Sequence, residues 1–131
     1  MVTEQEVEAI GQTLVDPGQP LQARFRALFT LRGLGGPGPI SWISRAFGDD
    51  SALLKHELAY CLGQMQDPRA IPVLVGVLQD SRQEPMVRHE AGEALGAIGN
   101  PEVLELLKQY SSDPVTEVTS PAPPQPLWLP R

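Results

Sequence analysis

The two histidines of the chain stand in matching contexts, and each is followed directly by a glutamate. The pairs are His56 and Glu57 within "KHELAYCLG", and His89 and Glu90 within "RHEAGEALG". Imidazole nitrogens and carboxylate oxygens form the donor set of non-haem iron sites, in which two histidines and one carboxylate leave positions open for oxygen chemistry. These four side chains are therefore candidate ligands of a metal ion.

Other metal motifs fit the pairs less well. A zincin requires a second histidine four residues after the first, where the chain has Tyr60 and Glu93. A ferritin-like di-iron bundle requires a glutamate three residues before each histidine, where the chain has Leu53 and Met86. Non-haem iron is the metal that the donor types favour.

The matching contexts belong to a longer repeat with a period of 33 residues. "HELAYCLGQMQDPRAIPVLVGVLQD" and "HEAGEALGAIGNPEVLELLKQYSSD" align without a gap, and a fainter unit precedes them at an offset of 31 residues. A period in this range is typical of a solenoid. We predict an all-α, HEAT-like helical-hairpin solenoid over residues 1–113, with repeats at about 20–50, 51–83 and 84–113.

Capping signals indicate where about seven helices begin. "TEQE" at residues 3–6 predicts a capping box for a first helix that ends at about Leu14. In the second repeat, a helix from about Ser51 to Met65 is followed by one that begins at Pro68, with Asp67 as its cap. Asn100 and Pro101 predict the same kind of start in the third repeat, and the Leu-Gly that ends each histidine context is assigned to packing between repeats.

The stacking of repeats predicts where the two histidines lie. Equivalent helices of a solenoid pack roughly 8–10 Å apart, so His56 and His89 are expected to be neighbours on one face. Consecutive residues on a helix point about 100° apart. A stacked pair of helices can nevertheless direct two imidazoles and at least one carboxylate towards the same ion.

A solvated charged face is the alternative interpretation of the same residues. In that case the two pairs hold no metal and face solvent beside Lys55 and Arg88. The first repeat has Phe25 and Arg26 at the aligned positions. The helix pair therefore does not require His and Glu in order to fold, but this observation leaves both interpretations open.

Composition and charge narrow the classes of partner. The chain has 131 residues, a net charge of −6 and one cysteine, Cys61. The acidic charge disfavours nucleic acid, and no apolar run approaches the roughly 18 residues of a membrane span. The N-terminal segment lacks the features of a secretory signal. We expect a cytoplasmic protein with a cationic partner, and neither nucleic acid nor membrane.

The C-terminal segment differs in composition from the repeats. Six prolines occur in "PVTEVTSPAPPQPLWLPR", residues 114–131. Because proline lacks an amide proton and obstructs regular helix, we predict a disordered, proline-rich tail.

The helix pairs carrying "LLKHELAYCLGQ" and "MVRHEAGEALGAIG" closely resemble deoxyhypusine hydroxylase, from the N-terminus to about Glu117. The resemblance implies an iron-dependent monooxygenase that uses O₂ to hydroxylate the deoxyhypusine side chain of translation initiation factor five A. It implies two Fe(II) ions in a complete site, with His56, Glu57, His89 and Glu90 as ligands. It implies no catalytic residue beyond the metal ligands.

The resemblance covers only the N-terminal half of the family's chain. The family has two such halves with two His-Glu pairs in each, so this half-array lacks the ligands for two irons. A homodimer formed face to face would supply four pairs. The alternative function is a catalytically silent HEAT-repeat scaffold that binds other proteins.

Overall fold

The computed structural model of the chain describes residues 2–110, and of Gln109 and Tyr110 it describes the backbone alone. This part of the chain contains seven α-helices and no β-strand, which confirms the predicted all-α fold. The helices are α1 Glu4–Val15, α2 Leu21–Leu34, α3 Pro37–Arg45, α4 Ala52–Met65, α5 Ile71–Gln79, α6 Pro85–Ile98 and α7 Pro101–Tyr110. The predicted tail, residues 114–131, lies outside the described residues, and the exact division into repeats stays a prediction.

Side-chain caps start several helices where the sequence predicts. Thr3 and Glu6 form the expected capping box at the start of α1. The Ser51 hydroxyl accepts a hydrogen bond from the Leu54 amide at the start of α4, at 3.1 Å. The Asn100 side chain accepts from the Glu102 amide, at 2.8 Å, at the start of α7. These bonds satisfy amides that have no partner within the helix.

The second helix of the middle repeat begins later than predicted. Pro68–Ala70 is a 3-10 turn capped by Asp67, and the α-helix begins at Ile71. The cause is Pro72, because a helix starting at Pro68 would need the amide of residue 72 to donate to the Pro68 carbonyl. Proline has no such amide. The chain uses a tighter turn, in which the Ile71 amide donates to Pro68 instead.

Leucine side chains from successive helices form one hydrophobic core. Leu54, Leu58, Cys61 and Leu62, which the repeat pattern places on one face of α4, are all fully buried. Leu28 and Leu31 of α2 belong to the same cluster, as does Leu95 of α6. The described helices include none that is both long and apolar enough to cross a membrane.

The helices α4 and α6 cross at a glycine. A Cβ atom placed on Gly63 would lie 2.9 Å from Cα of Ala94, closer than real Cβ contacts allow. The absence of a side chain at this position therefore lets the two backbones approach. Helix α4 carries the first His-Glu pair and α6 carries the second, so the two pairs lie on helices that pack against each other.

Candidate functional site

The ring of His56 lies between two carboxylates that come from different helices. Its Nε2 atom is 3.3 Å from Oε2 of Glu90 on α6. Its Nδ1 atom is 3.4 Å from Oε1 of Glu57, the next residue on α4. The His56 side chain is 20% exposed, whereas that of Glu90 is 4% exposed. The structure thus brings three of the four predicted ligands together across the helix interface.

The fourth predicted ligand, His89, contacts a carboxylate on its own helix. Its Nε2 atom lies 2.9 Å from Oε1 of Glu93, one turn further along α6. Side chains four residues apart on a helix are neighbours, so the spacing itself was the available signal. Glu93 is therefore a partner of His89 that is not among the predicted ligands.

A solvated charged face does not describe the basic residues beside the pairs. Lys55 is 7% exposed and Arg88 is 6% exposed. The Nε atom of Arg88 donates to the carbonyl of Leu78 at the end of α5, at 2.9 Å. In the first repeat, Arg24 donates in the same way to the carbonyl of Leu14, also at 2.9 Å. The interpretation of Lys55 and Arg88 as solvent-facing is wrong, because the basic side chain at this repeat position holds neighbouring helices together.

Glu90 departs from the solvated interpretation as well. It is the one acidic residue among the buried polar and charged side chains of the described region. Burying a carboxylate costs free energy because it loses its hydration, and partners that pair or hydrogen-bond with it offset that cost. Here the His56 ring on the neighbouring helix is one such partner.

An ion pair joins the first turn of α4 to the residue that precedes α6. Nζ of Lys55 lies 2.7 Å from Oε1 of Glu84, the residue that precedes α6. The same ammonium donates to Oε1 of Gln83 at 2.9 Å. The hydrogen-bonding Lys55 ammonium beside Glu84 holds the pKa of that carboxyl below its usual range. Glu84 is therefore charged at neutral pH.

The donor types of this site suit iron, but the arrangement is incomplete. Two imidazoles and the carboxylates of Glu57, Glu90 and Glu93 lie on two adjacent helices, and they match the nitrogen and oxygen donors of non-haem iron. Within residues 2–110, no group of three or more His, Cys, Asp or Glu side chains is arranged to hold a metal ion. The donor types are compatible with iron, and the described residues by themselves do not form a complete set of ligands.

Comparison with known proteins agrees with the helical repeats and with the resemblance to deoxyhypusine hydroxylase. The family model described as HEAT repeats matches residues 7–84 and 41–122. Deoxyhypusine hydroxylases of Bos taurus and Homo sapiens are each 89% identical over 118 residues, which is 90% of this chain and 39% of theirs. That of Drosophila melanogaster is 63% identical over 118 residues.

A solved structure shares both the sequence and the fold. The structure of human deoxyhypusine hydroxylase in complex with glycerol has a TM-score of 0.87 and 88% sequence identity to this chain. The matched region is 88% of this chain and 40% of the chain in the human structure. The chain thus spans about two fifths of the length of the relatives that it matches.

Proposed function

Because this chain belongs to the HEAT-repeat family and is 89% identical to deoxyhypusine hydroxylases over 118 residues, we propose that it carries part of the iron site of such an enzyme. The reaction is the O₂-dependent hydroxylation of deoxyhypusine. The observation that carries this proposal is the contact across helices between His56 Nε2 and Glu90 Oε2, at 3.3 Å. Two repeats thereby contribute donors to one location.

Each side chain of the site has a proposed role. His56 and His89 provide imidazole nitrogens, and Glu57 and Glu90 provide carboxylate oxygens. When bound, Fe(II) would activate O₂, which is the oxidant: one oxygen atom enters the C–H bond, and the other leaves as water with two electrons and two protons from an external reductant. Glu93 orients the His89 ring through the contact at 2.9 Å. Partners that orient metal-bound imidazoles are a general feature of metal sites.

The proposed substrate is the deoxyhypusine side chain of translation initiation factor five A. That side chain carries amines, and the chain has a net charge of −6. Opposite charges accelerate encounter and favour correct orientation. A carboxylate that does not bind iron is available to accept hydrogen bonds from the substrate's ammonium groups. We place this activity in the cytoplasm, where the thiol of the buried Cys61 stays reduced.

We infer that the remaining iron ligands come from outside residues 2–110 of a single copy of the chain. Two sources satisfy this need: a second copy of the chain, or a further His-Glu array in the part of the relatives' length that this chain does not span. Sedimentation with and without Fe(II) distinguishes them. Iron-dependent dimerisation of this chain supports the first source, and an iron-binding monomer contradicts it.

Metal binding tests the proposal directly. The chain is reconstituted anaerobically with Fe(II), and bound iron is measured per chain for the parent, His56→Ala and His89→Ala. The matched control is Glu102→Ala, which removes an exposed carboxylate at the start of α7. We expect both histidine variants to lose iron and the control to retain it. Iron content unaffected by either histidine substitution, at retained helicity, would rule out these ligands.

A HEAT-repeat scaffold without catalysis is the second candidate function. The observation that favours it is that the described residues hold no group of three or more donors arranged for a metal. Such a scaffold binds translation initiation factor five A with the same affinity in the presence of Fe(II) or a chelator. Failure to bind iron combined with retained binding of the factor would select it over the enzyme.

A further inference from the structure

One buried lysine links the two helices that carry the histidines. Lys55 directly precedes His56 on α4 and is 7% exposed. Its ammonium lies 2.7 Å from Oε1 of Glu84 and 2.9 Å from Oε1 of Gln83. Both partners immediately precede α6, which begins at Pro85. A single side chain therefore joins the first turn of one helix to the start of the other.

Glu84 is itself fixed to α6 by backbone hydrogen bonds. Its carbonyl accepts from the amide of Val87 at 2.9 Å and from the amide of Arg88 at 3.0 Å. These bonds open the helix that bears His89 and Glu90. A constraint on Glu84 is consequently a constraint on the position of α6 relative to Lys55.

The contact between His56 and Glu90 depends on the register of these two helices. Its length is 3.3 Å, and Glu90 belongs to the second turn of α6. A slip by one residue moves a helix by about 1.5 Å along its axis. The separation of 3.3 Å is already slightly longer than an ordinary hydrogen bond of roughly 2.7–3.2 Å, so a slip of that size weakens a contact that has no distance to spare. The contact therefore requires an interaction that fixes the register of α4 and α6, and Lys55 lies directly before His56.

The first repeat contains the same kind of link without a histidine beside it. Arg24 precedes Phe25 on α2, and its guanidinium lies 2.6 Å from Asp49, a few residues before α4. The link is therefore a property of the repeat that packs successive helices. In the second repeat the link lies directly beside the pair His56 and Glu57.

We propose that Lys55 is a positioning residue for the iron site: its link to Gln83 and Glu84 sets the register in which His56 meets Glu90. Lys55 does not bind the metal and acts through α6. The inference rests on the proposed function for its effect on Fe(II). Its structural part, the placement of the His56 ring, is independent of any metal.

Two measurements on the complete chain test this role. The chain has two histidines, so long-range ¹H–¹⁵N spectra of the metal-free protein show two imidazole ring systems. Lys55→Met is expected to shift the His56 ring signals and to weaken Fe(II) binding about 10- to 100-fold, the range for groups that support metal ligands. Lys55→Arg keeps the positive charge and is expected to restore both. If Lys55→Met does not fold, Glu84→Gln weakens the link from its more exposed end.

Arg24→Met is the matched control, because it removes the equivalent link in the repeat without a histidine. It is expected to lower the unfolding midpoint while leaving the His56 ring signals unchanged. Lys55→Met that lowers the midpoint and leaves those signals in place would overturn the proposal and leave Lys55 a purely stabilising residue. If the parent chain binds no Fe(II), the proposed function fails, and the ring signals still decide the role of Lys55.

Discussion

His56 of α4 reaches across the helix interface to Glu90 of α6, with Nε2 of the ring 3.3 Å from Oε2 of the carboxylate. The Glu90 side chain is 4% exposed, so the contact is formed largely out of solvent. Two residues 34 positions apart in sequence are thereby placed together by the stacking of repeats. The two His-Glu pairs are therefore in contact across the helix interface and are not two separate surface motifs.

The coupling between His56 and Glu90 is measurable in the metal-free chain. We expect a double-mutant cycle with His56→Ala and Glu90→Ala to give an interaction free energy of about 0.5–3 kcal/mol, the range for residues in contact. The free energies of unfolding come from urea titrations. The control cycle pairs His56→Ala with Glu102→Ala on α7, for which additivity within roughly 0.5 kcal/mol is expected. Additivity in the first cycle would contradict the contact.

Removing the glutamate that contacts each histidine on its own helix is expected to shift the ring signals of that histidine alone. Glu93→Ala removes the carboxylate 2.9 Å from His89 Nε2, so it should shift the ring signals of His89 and not those of His56. Glu57→Ala removes the carboxylate 3.4 Å from His56 Nδ1 and should show the reverse pattern. Imidazole ¹H–¹⁵N spectra of the two variants provide the comparison. A Glu93→Ala spectrum in which His56 alone moves would refute this pairing.

The helices, and the placement of the two His-Glu pairs on neighbouring helices, could be predicted because they depend on local and periodic signals. That His56 and His89 themselves are neighbours stays a prediction. The capping residue Thr3 marks the start of α1 by its own chemistry. The period of 33 residues places Glu57 and Glu90 at equivalent positions of α4 and α6. Stacking then accounts for the approach of His56 to a glutamate of the next repeat.

The burial of Lys55 and Arg88 and the partner of His89 could not be predicted, because they depend on which acceptors the fold places beside each side chain. Lys55 and Arg88 resemble surface residues in sequence, and they are buried because the fold brings acceptors near them: the Glu84 carboxylate for Lys55 and the Leu78 carbonyl for Arg88. His89 had two available glutamates, Glu90 and Glu93. A helical turn separates His89 from Glu93, which directs both to one side of α6. Spacing alone does not determine which of the two the ring contacts.

Because α4 and α6 approach closely at Gly63, a single methyl group added there is expected to lower the stability of the fold. In Gly63→Ala, the new Cβ would lie 2.9 Å from the backbone of Ala94, so the helices must separate. We expect a loss of about 1–3 kcal/mol in the free energy of unfolding, as for other overpacked cores. Because separation also moves α6 away from α4, the His56 ring signals should shift.

Gly76→Ala is the matched control for this substitution. Gly76 lies within α5, and nothing lies within 4 Å of a Cβ placed there. Alanine in a helix interior is more stable than glycine by roughly 0.5–1 kcal/mol, so this variant should gain stability. Urea unfolding of both variants tests the pair. A Gly63→Ala variant as stable as Gly76→Ala would show that the crossing has room for a side chain.

The Arg24 and Asp49 pair predicts a pH-dependent contribution to stability. Burial by itself raises the pKa of Asp49, but hydrogen bonds from Arg24 and from the Ser51 amide outweigh it and lower the pKa. A carboxyl whose pKa is lowered by folding stabilises the folded state above its unfolded pKa, about 3.9. The contribution is lost as the pH falls through the lower, folded value. Asp49→Asn should therefore cost about 1–3 kcal/mol at pH 7, since a hydrogen bond to a charged group is lost.

The difference in unfolding free energy between the parent and Asp49→Asn should narrow as the pH falls below about 3.9, because the unfolded parent then takes up a proton that the folded parent does not. Urea unfolding midpoints at intervals between pH 7 and pH 3 measure it. Asp50→Asn is the control, since Asp50 is exposed and adjacent, and surface substitutions usually change stability by less than about 0.5 kcal/mol. A gap for Asp49→Asn that stays constant down to pH 3 would mean that the carboxylate charge does not stabilise the fold, and that Arg24 is held by its bond to the Leu14 carbonyl alone.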